Sequence, residues 1–184
     1  GNSGGAGAIR NENGSNTLSG NVTLTGATEF FLNDTQLTVN NAIAGNQVLT
    51  KTGVGTLILR QNNALSNFLL RGGEVRISTV NGLGSTAALT VGGGQALEFD
   101  GSLTFNSGTN LQALTINNGT LNAISGTTTL DIPITLGVIS NLNVGGAGNL
   151  VLQRAFGNGG VAVSTANSLN HFGYHINNDG AAMN

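Results

Sequence analysis

Roughly every ten residues from Asn21 onward, the chain repeats one short phrase: a Gly or polar residue, then apolar–polar–apolar, then Asn or Gly. Thr35-Gln-Leu-Thr-Val-Asn40, Gly55-Thr-Leu-Ile-Leu-Arg60, Gln112-Ala-Leu-Thr-Ile-Asn117 and Gly148-Asn-Leu-Val-Leu-Gln153 are examples. Alternation with period two sends one face of each short segment into a core and leaves the other outside. Its steady recurrence predicts a stack of similar strands. Strand-like runs centre on Val22/Leu24, Phe30/Leu32, Leu37/Val39, Leu57/Leu59, Val75/Ile77, Leu89/Val91 and Leu97/Phe99. They continue at Leu103/Phe105, Leu114/Ile116, Leu130/Ile132, Leu142/Val144, Leu150/Leu152 and Val161/Val163. No window carries sustained apolar spacing at three and four residues, and Gly, Asn and Thr are poor helix formers.

Composition narrows the function classes. Of 184 residues, 30 are Gly and only 8% are charged, so Asn, Thr and Ser must supply most of the polar surface. The 39% hydrophobic content is enough for a packed core rather than a disordered linker. A net charge of −2 offers no basic footprint for nucleic acid and no field to steer charged substrates. The absence of Cys fits a secreted bacterial protein as well as a cytosolic one. No apolar stretch approaches the ~18 residues of a membrane span, so no membrane insertion by this segment is expected. There is no basic start with an apolar run behind it, and no initial Met; the chain reads as a mature product or an excised piece.

Two all-β architectures compete for such a pattern. An antiparallel β-sandwich would use Asp100-Gly101 and Asn118-Gly119 as hairpin turns. A two-residue turn at the first pairs Phe99 with Ser102 and Leu97 with Thr104, which splits the apolar set between faces. At the second, Ile116 meets Leu121 acceptably. A parallel β-helix asks only that each corner bend. Coils of about 20–25 residues match Leu37 to Leu57 to Val75, and Leu89 to Leu114. About eight coils at ~4.8 Å each would make a rod of roughly 40 Å. The β-helix is the expected fold, over residues 1–184 as a single segment, with 168–184 as a capping or tail segment.

The stretch Leu49-Thr-Lys-Thr-Gly-Val-Gly-Thr-Leu-Ile-Leu59 resembles the autotransporter-associated β-strand repeat of bacterial surface-protein passengers. That repeat reads L-x-K-x-G-x-G-T-L-x-L, and Lys51, Gly53, Gly55, Thr56, Leu57 and Leu59 fall in place. Gly73-Glu-Val75 is similar to its closing strand, and the runs Gly4 to Asn11 and Asn16 to Leu24 are similar to what precedes it. Gln61 stands where the repeat has Gly, and Leu65 where it has an aromatic. The likeness covers residues 4–78 and thins to one of style beyond about Gly101. It implies a right-handed parallel β-helix exported to the cell surface, and it implies no chemistry. The C-terminal membrane barrel of such proteins has no counterpart in the strands that follow.

The candidate chemistry is sparse. Gly1-Asn-Ser-Gly-Gly5 matches the serine-protease loop G-D-S-G-G except for Asn2, but no His precedes residue 171 to act as its base. Gly157-Asn-Gly-Gly-Val-Ala162 fits G-x-G-x-x-A, yet the segment that follows reads as strand, whereas a dinucleotide site needs a helix. Glu98 and Asp100 flank Phe99; if Phe99 points inward they share the solvent face, as paired glycosidase acids do, with Glu74, Arg71 and Arg76 as companions. His171 and His175 would share a strand face and could hold a metal with Asp179, but a cap with Tyr174 and Ile176 on the core is the simpler reading. Gly145-Gly-Ala-Gly-Asn149 lacks the Asp of a calcium nonapeptide. Thr23/Thr25 and Thr127/Thr129 are too irregular for an ice-binding array, and the sequons at Asn21, Asn33 and Asn118 are read as unglycosylated given the bacterial resemblance.

The expected function is therefore structural: no catalytic residue, no metal and no cofactor. Expected partners are another copy, end-to-end or lateral, or a host or matrix surface. The rival is a polysaccharide-acting enzyme built on Glu98 and Asp100, or an adhesive binding module.

Overall fold

A computed structural model describes residues 8–137, 140–153, 156–157, 161–165, 169–171, 177–178 and 181–182. Among them there is no helix, and nearly all strand pairing is parallel. The chain winds about seven turns of a β-solenoid. Its spine is one eight-stranded sheet whose rungs are Ser15–Leu18, Gln36–Val39, Thr56–Leu59, Gly73–Ile77, Gln95–Asp100, Thr120–Ser125, Ser140–Gly145 and Val161–Thr165, stacked in chain order. Register partners lie 18 residues apart at Leu57 and Val75, and 24 apart at Leu97 and Leu121, so coil length varies around the expected value.

The period-two pattern does what it predicts. Leu37, Leu57, Val75, Leu97, Leu121 and Val144 form one inward row, and Val39, Leu59, Ile77, Phe99 and Ala123 form the next; all are buried. Each of the aliphatic members contributes about 1.5–3 kcal/mol by burial. Phe99 packs its ring 5.5 Å from that of Phe105, and small Ala123 follows it in the row. Between the two rows runs an outward column, Thr38, Ile58, Arg76, Glu98 and Asn122. Ile58 is the exception to a polar exterior, yet it is buried, because in-register neighbours one ladder step away shield each other.

Two narrower faces complete each coil. The one ahead of the spine stacks Ile9–Asn11, Thr28–Leu32, Val48–Thr52 and Asn67–Leu70; it stops, and resumes with Ala88–Gly92, Ala113–Asn117, Ile134–Leu136 and Phe156–Gly157. The one behind it pairs Val22–Thr23 with Ile43–Ala44, then resumes as Thr104–Phe105, Thr127–Leu130, Asn149–Leu152 and Leu169–His171. The first break coincides with Ser78 to Ala87, which forms turns rather than strands; the second begins a coil earlier, since Arg60 to Ser66 also forms no strand. Only the spine runs through.

Corners explain the recurring Gly and Asn. Gly14, Asp34, Gly53, Gly73, Gly94 and Asn118 have positive φ, one at the entry to each of the first six spine rungs. A left-handed residue turns the chain sharply, and Gly, Asn and Asp tolerate it best. At Gly53 a Cβ would also lie 2.1 Å from the Leu32 carbonyl oxygen. Asp100-Gly101 and Asn118-Gly119 are such corners, not hairpin turns, which removes the sandwich alternative. Among the described residues, antiparallel pairing is confined to Asn177–Asn178 with Ala181–Ala182 in the tail, plus one bridge from Gly92 to Asn118.

Candidate functional site

Among the described residues two charged side chains are buried, Glu98 and Lys51, at two separate places. On the spine's outer face, Arg76 sits in the ladder beneath Glu98, and Asn122 above it. Arg76 donates to Glu98 Oε2 from Nε and Nη2, both at 2.8 Å, while Asn122 donates to Oε1 at 3.1 Å. The Glu98 side chain is only 5% exposed. Beyond Phe99 the register slips by one residue, so that Asp100 faces Ser125 and accepts its hydroxyl proton at 2.8 Å.

Of the companions expected for a carboxylate pair, the fold brings in Arg76 alone. Glu74 instead accepts a hydrogen bond from Thr56 at 2.7 Å, and Arg71 lies on the neighbouring face. Sequence separation misleads here, because ladder neighbours are set by coil length. A general acid needs an oxygen aimed at substrate. Both Glu98 oxygens are engaged by protein partners and the group is buried.

The second place is inside. Val48–Thr52 points Leu49 and Lys51 inward, so Lys51 stands in a row between Phe30 below and Leu70 above, fully buried. Its Nζ donates to the carbonyls of Gly53 at 2.7 Å and Gly72 at 2.8 Å, tying one corner to the next. Burial lowers its pKa to about 8, with the Glu74 charge pulling the other way. The ammonium thus fastens backbone that the left-handed corner leaves without a ladder. Asn63 does similar work, accepting from Ile43 N–H at 2.7 Å and donating to the Gly82 carbonyl at 2.6 Å. Lys51 belongs to the resemblance motif, but the residues alone gave no signal that it faced inward, since a charge breaks the apolar alternation.

Two depressions lie among the described residues. A cleft of about 430 Å³ lies where the face ahead of the spine is interrupted, lined by residues of Asn67–Leu70 and Ala88–Gly92 with Arg71 and Gln95. A shallower groove of about 320 Å³ follows the corner column past Asp34, Thr56 and Glu74. No group of three His, Cys, Asp or Glu among the described residues could hold a metal ion. His171 ends a strand of the face behind the spine; His175, Tyr174, Ile176 and Asp179 lie outside the described residues, as does Gly1 to Gly5. Val161–Thr165, which follows Gly157, is a spine rung and not a helix, so the dinucleotide motif is an accident of composition. No protein-family model, curated protein or solved structure matches this chain.

Proposed function

We propose that this chain is a non-catalytic β-helical segment of a secreted bacterial cell-surface protein, serving as an adhesin stalk or as a building block of an extracellular matrix or filament. The observation that carries the reading is the eight-stranded parallel spine with aliphatic side chains stacked beneath it. Each rung is hydrogen-bonded to its neighbours, so extension along the stack must break whole ladders at once, as suits a spacer. The best acidic candidate for chemistry is closed by Arg76 and Asn122, which counts against the polysaccharide enzyme. The motif around Lys51 and its likeness to autotransporter-associated repeats favour the cell surface.

Two measurements test this. Antibody against the chain is expected to label intact source cells; labelling only after permeabilisation would sink the surface assignment. Incubation with a panel of acidic and neutral glycans is expected to give no cleavage. Turnover that disappears in Glu98→Gln would replace the scaffold with an enzyme.

A further inference from the structure

We propose that the cleft between Asn67–Leu70 and Ala88–Gly92 is a binding site for a small organic carboxylate, held by Arg71, Gln95 and Thr90. The site is built by the interruption itself. Ser78 to Ala87 replaces a strand with turns, and Thr86 takes the place of a ladder partner. Its Oγ1 accepts the Phe68 N–H at 2.7 Å and donates to the Leu83 carbonyl at 2.6 Å. At the far end the Gln95 side chain does the corresponding work, its Oε1 accepting the Gly92 N–H at 2.7 Å. The two strands are thus capped separately, no ladder joins them, and a cleft of about 430 Å³ opens between. That volume is within the usual range of about 300–1,000 Å³ for small-molecule sites.

The lining selects the ligand. Among its residues there is one cation, Arg71, and no acid. Arg71 is exposed, and its side chain has no ion-pair partner among the described residues. Its backbone N–H, bonded to the Lys51 carbonyl at 2.9 Å, fixes the end of the strand that carries it. Because Oε1 of Gln95 is held by Gly92, its Nε2 is left as a positioned donor. Thr90 adds a hydroxyl on the same wall. One cation and no carboxylate in the lining call for an anion, and a guanidinium fork fits the two oxygens of a carboxylate. Leu69 and Ala88 supply an apolar wall that an inorganic ion would leave uncovered, so the anion should carry a compact organic body. This site stands independently of the scaffold reading, since a stalk or an enzyme could equally carry it.

The test uses backbone and Gln95 side-chain amide NMR during titration with glucuronate, N-acetylaspartate, glucose and inorganic phosphate. Saturable shifts at Leu70, Thr90 and the Gln95 amide are expected for one or both carboxylates, in the millimolar range or tighter. Which carboxylate binds better decides between a sugar acid and an amino-acid-like ligand. Arg71→Gln should weaken binding at least about tenfold, a loss of about 1.4 kcal/mol. Gln95→Glu, which keeps an oxygen for Gly92 but adds a negative charge, should abolish it. Unchanged melting of both variants shows that the fold is intact. The proposal is overturned if no carboxylate saturates, if the shifts map elsewhere, if Arg71→Gln binds as well as wild type, or if glucose or phosphate binds equally.

Discussion

The coils from Ile9 to Ile77 and those from Ala88 to Leu152 wind the same prism but place their buried charges on opposite sides of the wall. In the lower coils the bore admits Asn11, Lys51 and Asn63, each buried and each bonded to backbone of another coil. In the upper coils the bore holds Phe99, Phe105, Ile132, Ile134 and Leu136 with Thr128, bonded to the Gly101 carbonyl at 3.3 Å, as a polar member, and the buried charge, Glu98, sits outside on the spine. The difference shows two ways to close a narrow solenoid. Interior amides and an amine bridge corner carbonyls at fixed points, which demands particular residues at particular corners. Packing by bulk demands only volume, which different apolar residues can supply. A repeat motif is therefore visible below and fades above.

The largest effect should come from violating a lower corner. Gly53→Val meets both a left-handed φ of 74° and a backbone oxygen 2.1 Å from its Cβ. It should cost about 4 kcal/mol or more in chemical denaturation. Gly94→Ala has a similar φ of 73° with nothing within 4 Å, so only the conformational term of about 1 kcal/mol remains. Hydrogen exchange should show Gly53→Val losing protection in rungs below Ile77 before those above Gln95, since only the spine couples them. Uniform loss would show that the interruption does not divide the fold. In the upper bore, Phe99→Ala should cost about 3–5 kcal/mol through the cavity it leaves beside Phe105. Its melting would be monitored alongside Phe99→Leu, which fills much of that space.

Lys51 separates the halves by pH. Its folded pKa of about 8 lies below the ordinary 10.5, so between those values the unfolded chain holds a proton that the folded chain has released. Stability should therefore rise with pH across that window, by up to about 3 kcal/mol, and be at its lower plateau below pH 8. Lys51→Met removes the charge and the donors while keeping most of the length. Its denaturation midpoint should be flat in pH over the window, and below wild type at pH 7, because the Gly53 and Gly72 carbonyls lose their donor, at about 1–3 kcal/mol. A slope that survives in Lys51→Met would assign the effect to another group.

Six of the eight spine rungs were legible because Leu-x-Leu, Val-x-Ile, Leu-x-Phe and similar pairs state the inward face without ambiguity; Ser15–Leu18, with Leu18 its one apolar residue, was not. Val48–Thr52 was hidden by the charge at an inward position, and Thr120–Ser125 by Ala123, which is small because Phe99 precedes it in the row. Asn67–Leu70 and Ile9–Asn11 failed for related reasons: Leu69 is apolar on the outside, and Asn11 polar on the inside. The Glu98 neighbourhood was only half legible. Alternation placed Glu98 outward, but its partners 22 residues back and 24 ahead depend on two unequal coil lengths that no local pattern encodes.

That neighbourhood gives the smallest and most discriminating test. Arg76 belongs to the last rung before the interruption and Glu98 to the first rung after it, so their ion pair pins the two halves together on the spine. Glu98→Gln keeps the shape but removes the charge and turns one of the two acceptor oxygens into a donor. With Arg76 a quarter exposed, the loss should be about 1–2 kcal/mol. Salt should scarcely change that cost, since the carboxylate is shielded from solvent ions. Asp100→Asn, whose partner is a neutral Ser125 hydroxyl at the surface, should cost under about 0.5 kcal/mol. The readout that matters is local: Glu98→Gln should speed amide exchange in Gly73–Ile77 and Gln95–Asp100 more than in Thr120–Ser125. Equal acceleration in all three rungs would mean that the pair stabilises the sheet at large and does not act as a clasp across the interruption.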